Sequence, residues 1–185
     1  MEKFCVCLCF LLLLIGRVGQ CQIVIPEAKL KVTLPNSSWS ALSRQELGER
    51  LLYSSKRLPI VDKAGRSIIP NMAFLLEEIP STVDLQTFSA ELQRGLTEEQ
   101  PDGVHDARVV NMYKPDEKNG VIRLKNMLGY QLTYLDKASL SHTVYVVYLV
   151  HNDVGVQAIF DSTSDVFAQC EPEFLRTIHS IVNLP

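Results

Sequence analysis

Thr143–His151 (TVYVVYLVH) and Val154–Phe160 (VGVQAIF), separated by Asn152-Asp153, decide how this chain of 185 residues folds. The first run is almost entirely apolar and either β-branched or aromatic, which is the composition of a central strand covered on both faces. Asn152-Asp153 turns the chain, and the second run pairs back on the first. Upstream, Ala107–Tyr113 (ARVVNMY), Val121–Asn126 (VIRLKN) and Gly129–Asp136 (GYQLTYLD) read as further strands. The polar turn Lys114–Gly120 (KPDEKNG) separates the first two. Downstream, Pro172 suits the first position of a helix. From it Phe174, Ile178, Ile181 and Val182 line one face of a C-terminal helix.

Towards the N-terminus, Lys29–Leu34 (KLKVTL) alternates polar and apolar residues as a first strand, after a loose leader over 22–28. It is stopped by Pro35-Asn36-Ser37-Ser38. Ser43 and Glu46 have the spacing of a capping box, which predicts a short helix over 43–50. Arg50–Arg57 (RLLYSSKR) and Pro70–Ile79 (PNMAFLLEEI) are strands. Between them Pro59–Ile69 turns at Lys63-Ala64-Gly65-Arg66, so the region reads as a hairpin with an elaborated tip. Leu85, Phe88, Leu92 and Leu96 recur at spacings of three and four, one apolar stripe of an amphipathic helix. Each helix has one stripe to bury, so an α+β fold, an antiparallel β-sheet flanked by helices, is the economical arrangement.

An early strand ending near a tryptophan (Lys29–Trp39), a tyrosine-bearing strand (Gly129–Asp136), a long apolar strand pair (Thr143–Phe160) and a closing helix with Phe174, Ile178 and Ser180 recur together elsewhere. In this pattern the chain resembles the PsbP-like fold group. That group includes the extrinsic photosystem II subunit, the Ran-binding Mog proteins and bacterial DcrB-type exported proteins. The resemblance implies an α/β/α sandwich and an accessory or binding role without chemistry, and members of one fold serve unrelated functions.

The first twenty-one residues predict export. Met1-Glu2-Lys3 is a charged head, Phe4–Gly16 is an apolar run of thirteen, and Arg17–Cys21 follows. That is the layout of a secretory signal peptide, and the run is short of the roughly 20 residues that span a bilayer. Cleavage after Cys21 places Gly19 and Cys21 at the small-residue positions and leaves Gln22–Pro185 as one domain. Lipidation of Cys21 is the lesser reading, since Gln20 stands where a small residue belongs. The expected location is periplasmic or extracellular, with no transmembrane span left after cleavage. Cys170 is then the one cysteine clearly in the mature domain, so packing rather than a disulfide must hold the fold. The mature net charge becomes −4, from −3 for the whole chain. Scattered acidic charge gives no case for nucleic acid.

Residues capable of chemistry are present but not arranged for it. His105, His142, His151 and His179 form no His-x-His or His-Glu-x-x-His motif, so no metal or other cofactor is expected. His105-Asp106 and His151-Asn152-Asp153 read as solvated turns. Cys170 precedes the expected helix, where amides can activate a thiol, yet a small buried residue is the default there. No Gly-x-Ser-x-Gly elbow occurs. Glu77-Glu78 ends a strand and sends one side chain to each face, so the pair does not flank a substrate. Asn36-Ser37-Ser38 is a glycosylation sequon only in a eukaryotic host.

Two features remain as candidate binding surface. Lys56, Arg57, Lys63 and Arg66 concentrate positive charge beside Leu58, Ile60, Ile68 and Ile69, a basic and apolar hairpin in an acidic protein. It suits an acidic partner. Tyr130 and Tyr134 share a strand face, whereas Tyr145 and Tyr148 point to opposite faces. These tyrosines read first as core and hydrogen-bonded residues. The sequence thus predicts an exported, non-enzymatic protein-binding or accessory module of the cell envelope. The alternative is a small-ligand or lipid binder with an apolar pocket between sheet and helices.

Overall fold

The computed structural model describes residues 21–99, 101–115 and 120–185. The expected signal segment, apart from Cys21, lies outside the described residues, as does the middle of the Lys114–Gly120 turn. Among the described residues no helix is long and apolar enough to cross a membrane.

The centre is the antiparallel pair β10 (Ser141–His151) and β11 (Val154–Thr163), in register from His142 opposite Thr163 to His151 opposite Val154. Asn152 and Asp153 both take positive φ, 52° and 60°, the backbone that a two-residue hairpin turn requires. Around this pair a seven-stranded antiparallel sheet runs in the order β3-β4-β7-β11-β10-β9-β8. Its other members are β3 (Ser43–Leu47), β4 (Arg50–Lys56), β7 (Asn71–Glu78), β8 (His105–Tyr113) and β9 (Met127–Leu135). A ribbon of β5 (Ile60–Val61) and β6 (Ser67–Ile68) projects between β4 and β7 as the elaborated tip. A small second sheet, β1 (Gln22–Ile25), β2 (Leu30–Thr33) and β12 (Val182–Asn183), packs on one side.

Alternation along β10 divides the core in two. Val144, Val146 and Tyr148 face helix α1 (Leu85–Arg94) with Phe88, Tyr130 and Leu132. Tyr145, Val147 and Leu149 face helix α2 (Ser164–Ser180) and the small sheet, with Phe74, Phe160, Phe167 and Phe174. The result is an α+β sandwich. The α1 layer needs Gly155, because a Cβ there would stand 2.5 Å from the Phe88 ring.

Several sequence expectations are corrected. Ser43–Leu47 is an edge strand rather than a helix: every residue in it is exposed. With no apolar stripe to bury, the segment gains more from pairing with β4 around Gly48 at φ +63°. Gln22–Ile25 is not a loose leader but pairs with Leu30–Thr33. Val121–Asn126 is not a strand: Val121 and Ile122 are consecutive yet both buried in the α2-side core, which alternation forbids. Ile122 seals against Gly129, where a Cβ would come within 2.8 Å of it.

The C-terminal helix begins at Ser164, eight residues before Pro172, which lies inside it. Pro172 removes the donor for the Ala168 carbonyl, but both residues are exposed, so that carbonyl is not sealed from solvent. Val166, Phe167 and Cys170 extend the buried face ahead of Phe174 and Ile178, while Val182 leaves it and is exposed in β12.

Candidate functional site

The tip is built around Asp62. Its carboxylate accepts the backbone N–H groups of Ala64 and Arg66, both at 2.8 Å, and closes the turn. Gly65 supplies the left-handed residue at φ +79°. The Arg66 guanidinium donates to Asp62 at 2.6 Å and to Asp165 in the first turn of α2 at 2.9 Å, tying the tip to the body. Arg57 also turns inward. It bridges to Trp39 through the backbone, and its Nε donates to Glu173 Oε2 at 2.9 Å.

The same carboxylate accepts from Trp39 Nε1 and Asn36 Nδ2, each at 2.8 Å. Burial pushes the Glu173 carboxyl upward, but the hydrogen bonds from Arg57, Trp39 and Asn36 outweigh it and hold the group below the ordinary carboxylate range. Of the four basic residues singled out by sequence, Arg57 and Arg66 are therefore committed to internal carboxylates. Lys56 and Lys63 are exposed and make no ion pair among the described residues.

Ribbon alternation puts Ile60 and Ile68 on the inner face and Val61 and Ile69 on the outer one. Leu58, Val61 and Ile69 are 63%, 67% and 52% exposed. The tip and its base thus expose three large aliphatic residues, with Lys63 in the turn of the tip and Lys56 at the end of β4, neither in an ion pair among the described residues.

At one end of the α1 face lies a polar network that the sequence left unremarked. His142 stacks on Tyr134, with ring centroids 4.7 Å apart. Its Nδ1 is 3.0 Å from Asp161 Oδ1, and its Nε2 is 3.6 Å from Asp136 Oδ2. The Tyr134 hydroxyl donates to Asp161 at 3.0 Å. Burial pushes the imidazole down, but the two carboxylates outweigh it and hold His142 above the ordinary histidine range. Its members come from three strands, so no local motif announces it.

At the other end of the same face, α1 and the β8–β9 edge enclose an open groove of about 670 Å³. Leu85, Met112, Leu128 and Tyr130 form its apolar part, with Lys114 and Lys125 beside them.

The remaining candidates are placed as follows. Cys170 is wholly buried inside α2 rather than before it, and burial pushes its thiol up to about 11, away from the reactive thiolate. His105 opens the exposed β8, and the His151 ring meets the Leu184 carbonyl at 3.3 Å. His179 bonds the Gly120 carbonyl. Glu77 pairs with Arg50 at 2.6 Å, while Glu78 is exposed. Tyr145 and Tyr148 lie on opposite faces. The Tyr145 hydroxyl donates to Glu171, and that of Tyr148 accepts from Gln157.

An antiparallel sheet with a helix on each face and an accessory sheet beside the longer helix defines the class. Solved structures share it along most of their length. Mog1p, a Ran-binding protein of Saccharomyces cerevisiae, is 10% identical with a TM-score of 0.54, covering 89% of this chain and 95% of its own. Cyanobacterial PsbP (CyanoP) of Synechocystis is 12% identical with a TM-score of 0.52, covering 91% and 95%. PA94 of Pseudomonas aeruginosa, described as of unknown function, is 12% identical with a TM-score of 0.57, covering 90% and 98%. No protein-family model and no curated protein sequence matches the chain. At these identities the likeness is one of fold, and the chain has the PsbP-like fold that its strand and helix pattern resembles.

Proposed function

We propose that this chain is an exported, non-enzymatic protein-binding or accessory module of the cell envelope, and that it meets its partner through the β5–β6 tip. The observation that carries the reading is the exposure of Leu58, Val61 and Ile69 in and around the tip, in the same stretch of chain as the exposed Lys56 and Lys63. Exposed aliphatic clusters rimmed by charge are typical of recognition surfaces. Two free lysines on an acidic protein favour a partner presenting carboxylates around an apolar patch. The layout of residues 1–21 supports export, and the Ran-binding description of Mog1p supports this fold as a scaffold for protein recognition. The sheet–α2 interior is filled by Trp39, Phe160, Phe167 and Phe174 with ring centroids 5.9 Å apart, which favours binding at the surface over binding on that side.

The test is crosslinking capture from native envelope extract, comparing the unaltered protein with a Lys56→Glu/Lys63→Glu/Val61→Ser variant. Arg57 and Arg66 are left intact because they hold the fold. A partner captured by the first and lost with the second is expected. A partner retained by the variant removes the interface from the tip, and no specific partner under either condition overturns the reading.

A further inference from the structure

We propose that the groove between α1 and the β8–β9 edge is a binding site for a small amphipathic anion, a carboxylate carried on an apolar chain or ring. This goes beyond the protein-partner reading and rests on different residues. The groove's volume of about 670 Å³ is that of a small-ligand site. Leu85, Met112 and Leu128 supply apolar contact for the ligand body, and Met112 is 46% exposed there. Lys114 and Lys125 are both exposed, and neither makes a hydrogen bond or ion pair among the described residues. Asp84 also lines the groove and stays ionised, with one carboxylate oxygen accepting from the Thr87 N–H at 2.7 Å. Two lysines against one carboxylate leave the groove lining net positive among the described residues.

Tyr130 sharpens the assignment. It lines the groove although it is only 7% exposed, and its hydroxyl makes no hydrogen bond among the described residues. The tyrosines sharing this sheet are otherwise served: Tyr134, Tyr145 and Tyr148 all have partners. That unpartnered hydroxyl is not a sealed atom but one open to solvent at the groove, so it is free to donate to an incoming acceptor. A carboxylate there accepts from Tyr130 and pairs with a lysine ammonium, while its apolar body covers Met112 and Leu128.

The experiment is an NMR titration of the purified protein with octanoate, octanol and octyltrimethylammonium, three ligands that share a chain and differ in charge. Octanoate is expected to give saturable, single-site shifts of the Met112, Leu128 and Tyr130 amides. Octanol should bind at least tenfold more weakly, and the cation should leave those amides unmoved. Lys114→Glu/Lys125→Glu should weaken octanoate at least tenfold with the thermal midpoint unchanged, and Tyr130→Phe should weaken it several-fold. The tip variant Lys63→Glu/Val61→Ser should bind octanoate as the unaltered protein does, which separates this site from the protein interface. Equal affinity for octanoate and octanol, insensitivity to the charge reversal, shifts mapping elsewhere, or no saturable binding would each overturn the assignment.

Discussion

The two faces of the central sheet are covered to different extents. On one side lies α2, with 17 residues; on the other lies α1, with 10 residues, continued by a single π-helical turn over Gly95–Glu99. The longer helix and the β1-β2-β12 sheet close their face with aromatic residues and one buried ion pair. The α1 side is closed differently. At one end the chain fills the space with the His142–Tyr134–Asp161 network, and at the other it leaves the groove open. Aromatic packing thus seals one face, while the other keeps a polar network and room for a ligand.

The sealed face breaks most easily at Glu173. Glu173→Ala leaves Arg57, Trp39 and Asn36 without their shared acceptor, and removing one partner of a buried pair costs about 3 kcal/mol or more. Urea unfolding should show a midpoint shift of that size with an unchanged slope. A loss close to that of a typical surface substitution would mean that α2 and the Trp39 segment hold together without the pair.

On the α1 face, Gly155→Ala is expected to cost about 2 kcal/mol, because the methyl group meets the Phe88 ring and the core resists overpacking. If thermal unfolding shows no destabilisation, α1 is free to shift on the sheet, and the two faces differ in rigidity as well as coverage.

The smallest effect concerns pH. The folded state holds His142 above its ordinary value of 6.5. Its contribution is therefore complete below that value and is lost as pH rises through the higher folded-state value. Stability measured from pH 5.5 to 8 should fall more steeply in the unaltered protein than in His142→Asn. Glu173 works in the opposite sense: its contribution is complete above 4.5 and is lost on acidification. Parallel pH profiles for the unaltered protein and His142→Asn would show that protonation of His142 does not stabilise the fold.

Much of the fold was legible in sequence because its signals are local. The β10–β11 hairpin announces itself through two apolar runs around a turn pair, and α1 through the spacing of Leu85, Phe88 and Leu92. The same local logic failed at Ser43–Leu47, where a capping-box spacing lacked an apolar stripe and strand pairing won. It failed again at Pro172, which lies inside the helix, where the exposed Ala168 carbonyl that it leaves without a donor is open to solvent. The candidate surfaces divide in the same way. The basic tip is contiguous in sequence, so it could be found there, but nothing local reveals that Arg57 reaches Glu173 across 116 residues or that Arg66 reaches Asp165 across 99.

By itself the sequence determined the order and type of most elements and the division of apolar residues between the two faces of β10, because periodicity and composition act over neighbouring residues. Only the tertiary structure decided which charges are free, which histidine sits between carboxylates, and where a groove opens beside Tyr130. Those outcomes depend on residues from separate strands meeting at distances of a few ångströms, and one-dimensional spacing carries no record of that convergence.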